Sequence, residues 1–125
     1  MGGRVNILAD KSLAFASVVG NMCEALPKTA VNLSMIKQLA RCATSIGANI
    51  CESEYAQSNA DFVSKLSIAQ KEAGEARYWL TVLHNMHNID DAAFSLRISE
   101  CEELLRLLAA SIKTARRNGE QGQSQ

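Results

Sequence analysis

The sequence predicts an all-α protein, an antiparallel up-down-up-down four-helix bundle, and three observations lead to this prediction. Hydrophobic residues make up 47% of the 125 residues but aromatic residues only 5%, and Pro27 is the single proline; such a composition favours packed helices over sheets. Apolar residues recur at steps of three and four in four consecutive segments, as they do along one face of a helix. The connections between these segments are short, so neighbouring helices must run antiparallel.

The first two helices are predicted at about 7–25 and 31–55, and Pro27 ends the first of them. A proline cannot continue the helical hydrogen-bond ladder, which makes the turn after it a natural boundary. The third helix begins near Ser58 or Asn59, because either side chain can cap a helix N-terminus.

The third helix is predicted to run to about Met86, and the fourth follows residues 87–91. From residue 119 onward the chain contains Gly, Glu, Gln and Ser and no apolar residue that could be buried. We therefore place the bundle domain at residues 1–118 and predict a disordered tail at residues 119–125.

A ridge of polar residues flanks the apolar stripe of the second helix. If the second and third helices meet near residue 57, antiparallel pairing places residues whose numbers sum to roughly 116 at the same level. Gly47 lies beside this ridge and would let the two backbones approach closely. We predict a structural polar network across this seam from seven residues: Arg41, Ser45, Asn49, Glu52, Lys65, Glu72 and Glu75.

Two carboxylates, Glu72 and Glu75, stand one helical turn apart and raise the question of acid–base or metal chemistry. Carboxylate di-metal bundles need Glu-x-x-His on paired helices, and the chain has no such motif. His84 and His87 are also one turn apart, but no second group of ligands would complete their site. We therefore predict a register-setting ion-pair role for the two carboxylates, with no catalytic residue, no metal and no cofactor.

Cysteine spacing and hydropathy restrict the class of protein further. No apolar run is long enough to span a bilayer and no signal-peptide pattern occurs near the start, so we expect a cytoplasmic protein without a membrane partner. No Cys-x-x-Cys pair occurs either. We expect four buried thiols that act as small hydrophobes, rather than disulfides or zinc ligands: Cys23, Cys42, Cys51 and Cys101.

The apolar arcs of the third and fourth helices are wider than one small core needs. The residues that widen these arcs are Trp79, Val82 and Met86 on the third helix, and on the fourth Leu104 and Leu107, which stand beside Leu105 and Leu108 of the core stripe. Either a small bundle has broad core faces, or a second apolar face is covered by self-association. We favour self-association.

The balanced charge composition means that nucleic-acid binding would require a local basic patch. Lys and Arg together number 13, as do Asp and Glu, so no whole-chain field would attract a nucleic acid. The candidate patch consists of four cations on the last helix: Arg106, Lys113, Arg116 and Arg117. No aromatic residues lie among them, which leaves phosphate contact as the available binding mode. The alternative is that cations near a helix C-terminus stabilise that helix without any partner.

Three motifs occur in order along the chain: DKSLAFA at residues 10–16, RxxxSIGANIxE at 41–52 and DFxxKLxIAxKEAxExRYWL at 61–80. Together they resemble the bacterial four-helix bundle proteins associated with intervening sequences of 23S ribosomal RNA. The resemblance covers the chain from about Asn6 to Lys113. It implies an antiparallel bundle assembled as a ring of five subunits, and no known enzymatic activity.

The same resemblance implies kinship to the accessory proteins of diversity-generating retroelements, which bind a reverse transcriptase and nucleic acid. Those accessory proteins tend to be basic, whereas this chain is neutral. Gly74 and Cys51 also stand where larger or charged residues are expected.

Together these observations predict a non-enzymatic, homo-oligomeric bundle, with RNA or a nucleoprotein such as a reverse transcriptase as its partner. A purely structural assembly module is the alternative, followed by a carboxylate-based metal protein or enzyme.

Overall fold

The computed structural model describes the backbone of residues 2–123 and the side chains of residues 7–120. It contains four helices: α1 (Gly2–Ala25), α2 (Ala30–Ser53), α3 (Asn59–Asn85) and α4 (Asp91–Gln123). No strand occurs within the described backbone. The predicted all-α, four-helix fold is therefore confirmed.

Hydroxyl side chains cap the starts of α2 and α3. Thr29 Oγ1 accepts a hydrogen bond from the backbone N–H of Asn32 at 3.1 Å, and Ser58 Oγ accepts one from Asp61 at 3.0 Å. Each cap satisfies a backbone donor that the first helical turn leaves without an intrahelical partner. At the far end of α3, His87 has φ 64°, the left-handed conformation in which many helices end. These caps and the left-handed residue allow the chain to reverse direction within short loops.

The four helices surround one core. Within the described backbone α1 packs against α2 and α4, and α3 packs against the same two helices. All four helices contribute large, fully buried side chains: Leu8, Phe15, Val19, Leu39, Ile46, Ile50, Leu66, Leu80, Leu83, Leu104 and Leu108. Burial of each such side chain stabilises the fold by roughly 1.5–3 kcal/mol relative to exposure. None of the helices in the described range combines the length and the hydropathy that a bilayer-spanning segment requires.

The C-terminal segment differs from the prediction, because α4 continues to Gln123 where a tail was expected from residue 119. Asn59, at the start of α3, donates a hydrogen bond from Nδ2 to the carbonyl oxygen of Ala115 at 2.9 Å. The same Nδ2 lies only 2.5 Å from where a Cβ on Gly119 would be, so this glycine admits the Asn59 side chain. The end of α4 is thus packed against the start of α3, while residues 124 and 125 lie outside the described part of the chain.

The surplus apolar residues of α3 and α4 are divided between the core and the surface. Leu104 and Leu108 are buried, so two of the four leucines at positions 104–108 are used inside a single bundle. Met86 is 43% exposed. The others pack against the core while remaining partly exposed: Trp79, Val82, Leu105 and Leu107.

Gly47 lets α2 approach α1 closely. The sequence analysis predicts a close approach to α3 at this glycine, and that prediction is wrong. A Cβ on Gly47 would lie 3.2 Å from Oγ of Ser12, a buried side chain of α1 that donates to the carbonyl oxygen of Ala9. The reason is helical geometry, since Gly47 lies on the side of α2 away from Arg41. Gly74 in α3, by contrast, has no neighbouring atom within 4 Å of the position that a Cβ would occupy.

We predict that Gly74→Ala raises the free energy of unfolding by about 0.5–1 kcal/mol, because a mid-helix glycine costs that much relative to alanine and the new methyl group meets nothing. Gly47→Ala should gain the same helix propensity but lose part or all of it by crowding Ser12. Urea denaturation of both variants measures the difference. If the two substitutions stabilise equally, Ser12 moves aside freely and the close contact is unimportant.

Candidate functional site

A cluster of three charged residues joins α2 to α3. Arg41 Nη1 lies 3.0 Å from Glu72 Oε2, and Arg41 Nη2 lies 2.9 Å from Glu75 Oε2. The Glu72 side chain is 10% exposed, whereas those of Glu75 and Arg41 are 38% and 49% exposed. A nearly buried carboxylate is therefore held by a cation that reaches in from the solvent.

The other predicted members of the polar network do not join this cluster. Lys65 Nζ forms a separate ion pair with Glu52 Oε2 at 3.0 Å, further along the seam. Asn49 Nδ2 donates to the carbonyl oxygen of Ser45, in the same helix, at 2.8 Å. Among the described side chains, the seven predicted residues thus form two ion-paired groups and one intrahelical bond, rather than a continuous network.

Cys42 also belongs to the cluster, although its sequence position predicts only a buried hydrophobe. The residue is fully buried, and its Sγ lies 3.4 Å from Glu75 Oε2 and 3.2 Å from Arg41 Nη2. One sulfur and two carboxylate oxygens, from Cys42, Glu72 and Glu75, therefore lie within 4.8 Å of one another. The sequence signal that could have identified Cys42 is its position next to Arg41, on the flank of the apolar stripe that turns towards α3.

Hydrogen bonding and burial set the protonation states in this cluster. Arg41, followed by the Cys42 thiol, hydrogen-bonds to Glu75 and holds the pKa of that carboxyl below its ordinary value. Burial, followed by the hydrogen bond to Glu75, raises the pKa of Cys42 to about 12. At neutral pH the thiol is therefore protonated, and it lacks the thiolate character that a nucleophilic cysteine needs.

The two histidines serve the turn between α3 and α4. His84 Nε2 lies 2.7 Å from Asp91 Oδ1, and its ring stacks on Phe94 with ring centroids 4.0 Å apart. His87 occupies the left-handed position just after α3. Among the described residues, neither belongs to a group of three side chains that could share a metal ion.

Cys51 departs from the prediction that all four cysteines are buried. Cys23, Cys42 and Cys101 are buried, but Cys51 is exposed. It follows Ile50, which points into the core, and successive residues of a helix are rotated by about 100°. The thiol therefore faces solvent.

All four cations proposed for nucleic-acid binding are exposed. Three of them line one open groove beside Gln70 of α3, and we refer to this as the α4 groove: Lys113, Arg116 and Arg117. Glu120 lines the same groove, so three cations there face one carboxylate. Arg106 lines a different groove, together with Glu102. The structure therefore brings three of the four predicted residues together and places the fourth further along α4.

Charge is segregated along α4. No acidic residue occurs between positions 104 and 119, and within the side chains described for residues 7–120 no ion pair involves the four cations. The first half of α4 is different, because each of its acidic residues is paired with a basic one: Asp91 with His84, Glu100 with Arg97, Glu102 with Arg77 and Glu103 with Lys11. Three of the four acidic charges of this half are thus compensated by Arg or Lys, while the basic charge of the second half has no such partner among the described side chains.

An exposed apolar face lies on α3 beside α2, and we refer to it as the α3 face. Its members are spaced from Glu75 by four, seven or eleven residues, so they share one side of the helix: Ile68, Trp79, Val82 and Met86. Because Glu75 contacts Arg41, this side adjoins α2. Ile68 and Met86 are 40% and 43% exposed.

The fold and the site define a class, a four-helix bundle with an ion-paired seam and a basic helix end. The chain belongs to the family described as 23S rRNA-intervening sequence protein, whose model matches residues 5–110. It is also similar to the crystal structure of a protein of unknown function from the S23 ribosomal protein family of Bacteroides thetaiotaomicron. That comparison has a TM-score of 0.84 and 41% sequence identity, and it covers 89% of this chain and 99% of the other. No curated protein matches the chain. The family predicted from the three motifs is therefore confirmed.

We predict that Arg41→Ala lowers the melting temperature more than Lys65→Ala does. Arg41 compensates a carboxylate that is 10% exposed, whereas the partner of Lys65 is 59% exposed and already solvated. The pKa of Glu75 is lowered on folding, so its ion pair stabilises the fold above the ordinary pKa and is lost as the pH falls below about 5. The difference between the parent and Arg41→Ala should therefore shrink in acid. Thermal unfolding followed by circular dichroism at neutral and acidic pH measures both effects, and small, equal losses in the two variants would contradict the assigned role.

Proposed function

We propose that the protein is a non-enzymatic homo-oligomer, a ring of five subunits, that binds RNA through phosphate contacts from the cations of α4. The observation that carries this proposal is the segregation of charge on α4, whose basic half has exposed cations at positions 106–117 and no acidic residue among them. Phosphate contact needs cations but no aromatic platform. The family description, which associates these proteins with an intervening sequence of 23S rRNA, favours RNA as the ligand.

The spacing of these cations suits an extended backbone. Positions 106 and 117 are separated by eleven residues, which is about 16 Å along a helix. Lys113, Arg116 and Arg117 occupy little more than one turn and line the α4 groove. Such a row would contact successive phosphates of a strand without reading its bases, so the expected binding is salt-dependent and weakly sequence-specific.

The polar cluster between α2 and α3 supports the non-enzymatic part of the proposal. Both carboxylates are bound to Arg41, and the Cys42 thiol is protonated at neutral pH. These are the properties of an ion pair that fixes helix register rather than of an acid, a base or a nucleophile awaiting a substrate.

The α3 face supports self-association. It consists of partly exposed apolar side chains on both sides of Glu75, and a second copy of the chain would remove this apolar surface from water. The fourth helix contributes less than its sequence predicts, because Leu104 and Leu108 are taken up by the core. The number five comes from the family resemblance.

We predict a particle of about five times the 13.5 kDa chain mass in light scattering or sedimentation. Ile68→Arg with Met86→Arg should shift it towards smaller species, because two charges would be buried in the interface. The matched control is Leu13→Arg with Leu96→Arg, at residues 68% and 59% exposed on α1 and α4, which should leave the mass unchanged. A parent protein that remains monomeric at micromolar concentration would remove the proposal of self-association.

We predict that structured RNA binds at low salt and that its affinity falls steeply as salt is added, because phosphate contacts release counterions. Arg116→Gln with Arg117→Gln should weaken binding and reduce the slope of log affinity against log salt by about one to two. The matched control is Lys37→Gln with Lys71→Gln, which removes the same charge from exposed positions on α2 and α3. Filter binding or fluorescence anisotropy over a salt series measures both.

The outcomes of this experiment separate the alternatives. If the control weakens binding as much as the Arg116 and Arg117 changes, net charge rather than the α4 groove is responsible. Equal binding by the parent and by a variant with glutamine at all four cations would contradict the assignment. If neither binds RNA, a nucleoprotein partner such as a reverse transcriptase, or a purely structural assembly role, becomes the better proposal.

A further inference from the structure

We propose that Cys42, Glu72 and Glu75 form a binding site for a thiophilic divalent cation such as Zn²⁺, in which Arg41 is the exchangeable cation that occupies the carboxylates when no metal is bound. The site lies on the seam between α2 and α3. The site is separate from the α4 groove, so this proposal does not depend on whether the protein binds RNA.

The geometry of the three donors is close to what such an ion requires. Tetrahedral zinc, with Zn–S of about 2.3 Å and Zn–O of about 2.0–2.2 Å, holds its sulfur and oxygen ligands about 3.6 Å apart. Cys42 Sγ and Glu75 Oε2 are already 3.4 Å apart. Glu72 completes a set whose ligand atoms all lie within 4.8 Å of one another, so small side-chain rotations close the remaining gap. Two rigid helices supply the three donors, which limits how far they can drift apart.

The donor types select the class of ion. A thiol sulfur is a soft ligand that Zn²⁺ and Cd²⁺ accept, whereas Mg²⁺ and Ca²⁺ prefer oxygen-only sites. Three protein ligands leave a fourth tetrahedral position for water. In the single chain Glu75 is 38% exposed, so solvent reaches that position before a neighbouring subunit covers the α3 face.

Arg41 shows that the cluster already binds a cation and also how that cation could leave. Its guanidinium contacts both carboxylates, yet its side chain is 49% exposed and extends towards solvent. One guanidinium facing two carboxylates and a neutral thiol leaves the group with a net charge of minus one. A divalent ion bound to a thiolate and two carboxylates has the same net charge, with Arg41 then free to move to solvent nearby.

Binding involves one proton. The S–H bond of Cys42 breaks, a sulfur–metal bond forms, and the proton passes to the buffer. Because a cysteine binds such a metal as the thiolate, the metal must displace this proton at neutral pH, and affinity should rise with pH. The charged groups that act on Cys42 from the two helices of the seam are Arg41, Glu72 and Glu75.

The test uses Cd²⁺, because a cadmium–thiolate bond gives a charge-transfer absorption band in the ultraviolet. The whole chain is first given Cys51→Ser, since Cys51 is the exposed thiol and could bind Cd²⁺ adventitiously. Titration should produce the band with one Cd²⁺ per chain, and calorimetry in two buffers of different ionisation enthalpy should show one proton released. Cys42→Ser should abolish the band, while Cys101→Ser, at a buried thiol outside the cluster, should leave it unchanged. Far-ultraviolet circular dichroism confirms that each variant is folded.

The variants at charged positions distinguish a metal site from a structural ion pair. Glu75→Gln should weaken Cd²⁺ binding by more than about tenfold, because a ligand is lost. Arg41→Gln should strengthen it by roughly tenfold or more, since a competing positive charge is removed, even though the same change destabilises the metal-free protein. The absence of a band in the Cys51→Ser protein, its persistence after Cys42→Ser, or unchanged affinity in Arg41→Gln would each overturn the proposal.

Discussion

Two ion pairs across the seam between α2 and α3 fix the register on which the other features of this bundle depend. Arg41 pairs with Glu75, and Glu52 with Lys65, so the contacts lie eleven residues apart along α2 and ten along α3, in opposite order. A slip of one helical turn would break both pairs at once and leave the buried end of the cluster without its cation. Between the pairs α3 presents small side chains, which let the helices approach closely: Ala69 and Ala73. The same register places the Cys42 thiol in contact with Glu75.

In the proposed ring of subunits, the position of this cluster would link stability to assembly. Glu75 stands in the middle of the α3 face, where a neighbouring subunit would remove the water that now reaches it. A carboxylate that loses water needs a compensating charge and hydrogen bonds, and Glu75 already has both, from Arg41 and from Cys42. Glu75 could therefore be buried at a lower desolvation cost than an isolated surface glutamate such as Glu54. The apolar side chains around it would supply the favourable free energy of association, and the ion pair would supply the orientation.

Most of the fold could be predicted from the periodicity of apolar residues and from the residues at the turns, because both are local properties of the sequence. The start of α3 at Ser58 and the pairing of Arg41 with Glu75 follow directly from cap preference and from counting residues away from the turn. Features that depend on three-dimensional contact could not be obtained in this way. The contact of the end of α4 with Asn59 joins residues that lie 60 positions apart in the chain. The membership of Cys42 in the cluster depends on which side of an apolar stripe faces the neighbouring helix.

A chain of zero net charge can still present a basic surface. The local electrostatic potential depends on which charges are paired and how far away they are, and not on the net charge of the chain. Three of the four acidic residues in the first half of α4 are paired with Arg or Lys, whereas no carboxylate among the described side chains is paired with the four cations of the second half. Glu103 and Arg116 are separated by thirteen residues, which is about 20 Å along a helix. The Debye length at physiological ionic strength is about 8 Å, so the acidic half contributes little to the potential at the α4 groove. A phosphate that approaches the groove would therefore sense its three cations and the single carboxylate of Glu120 rather than the average over the chain. In a ring of subunits this local field would be repeated at intervals, and several weak contacts on one particle act at a high effective concentration.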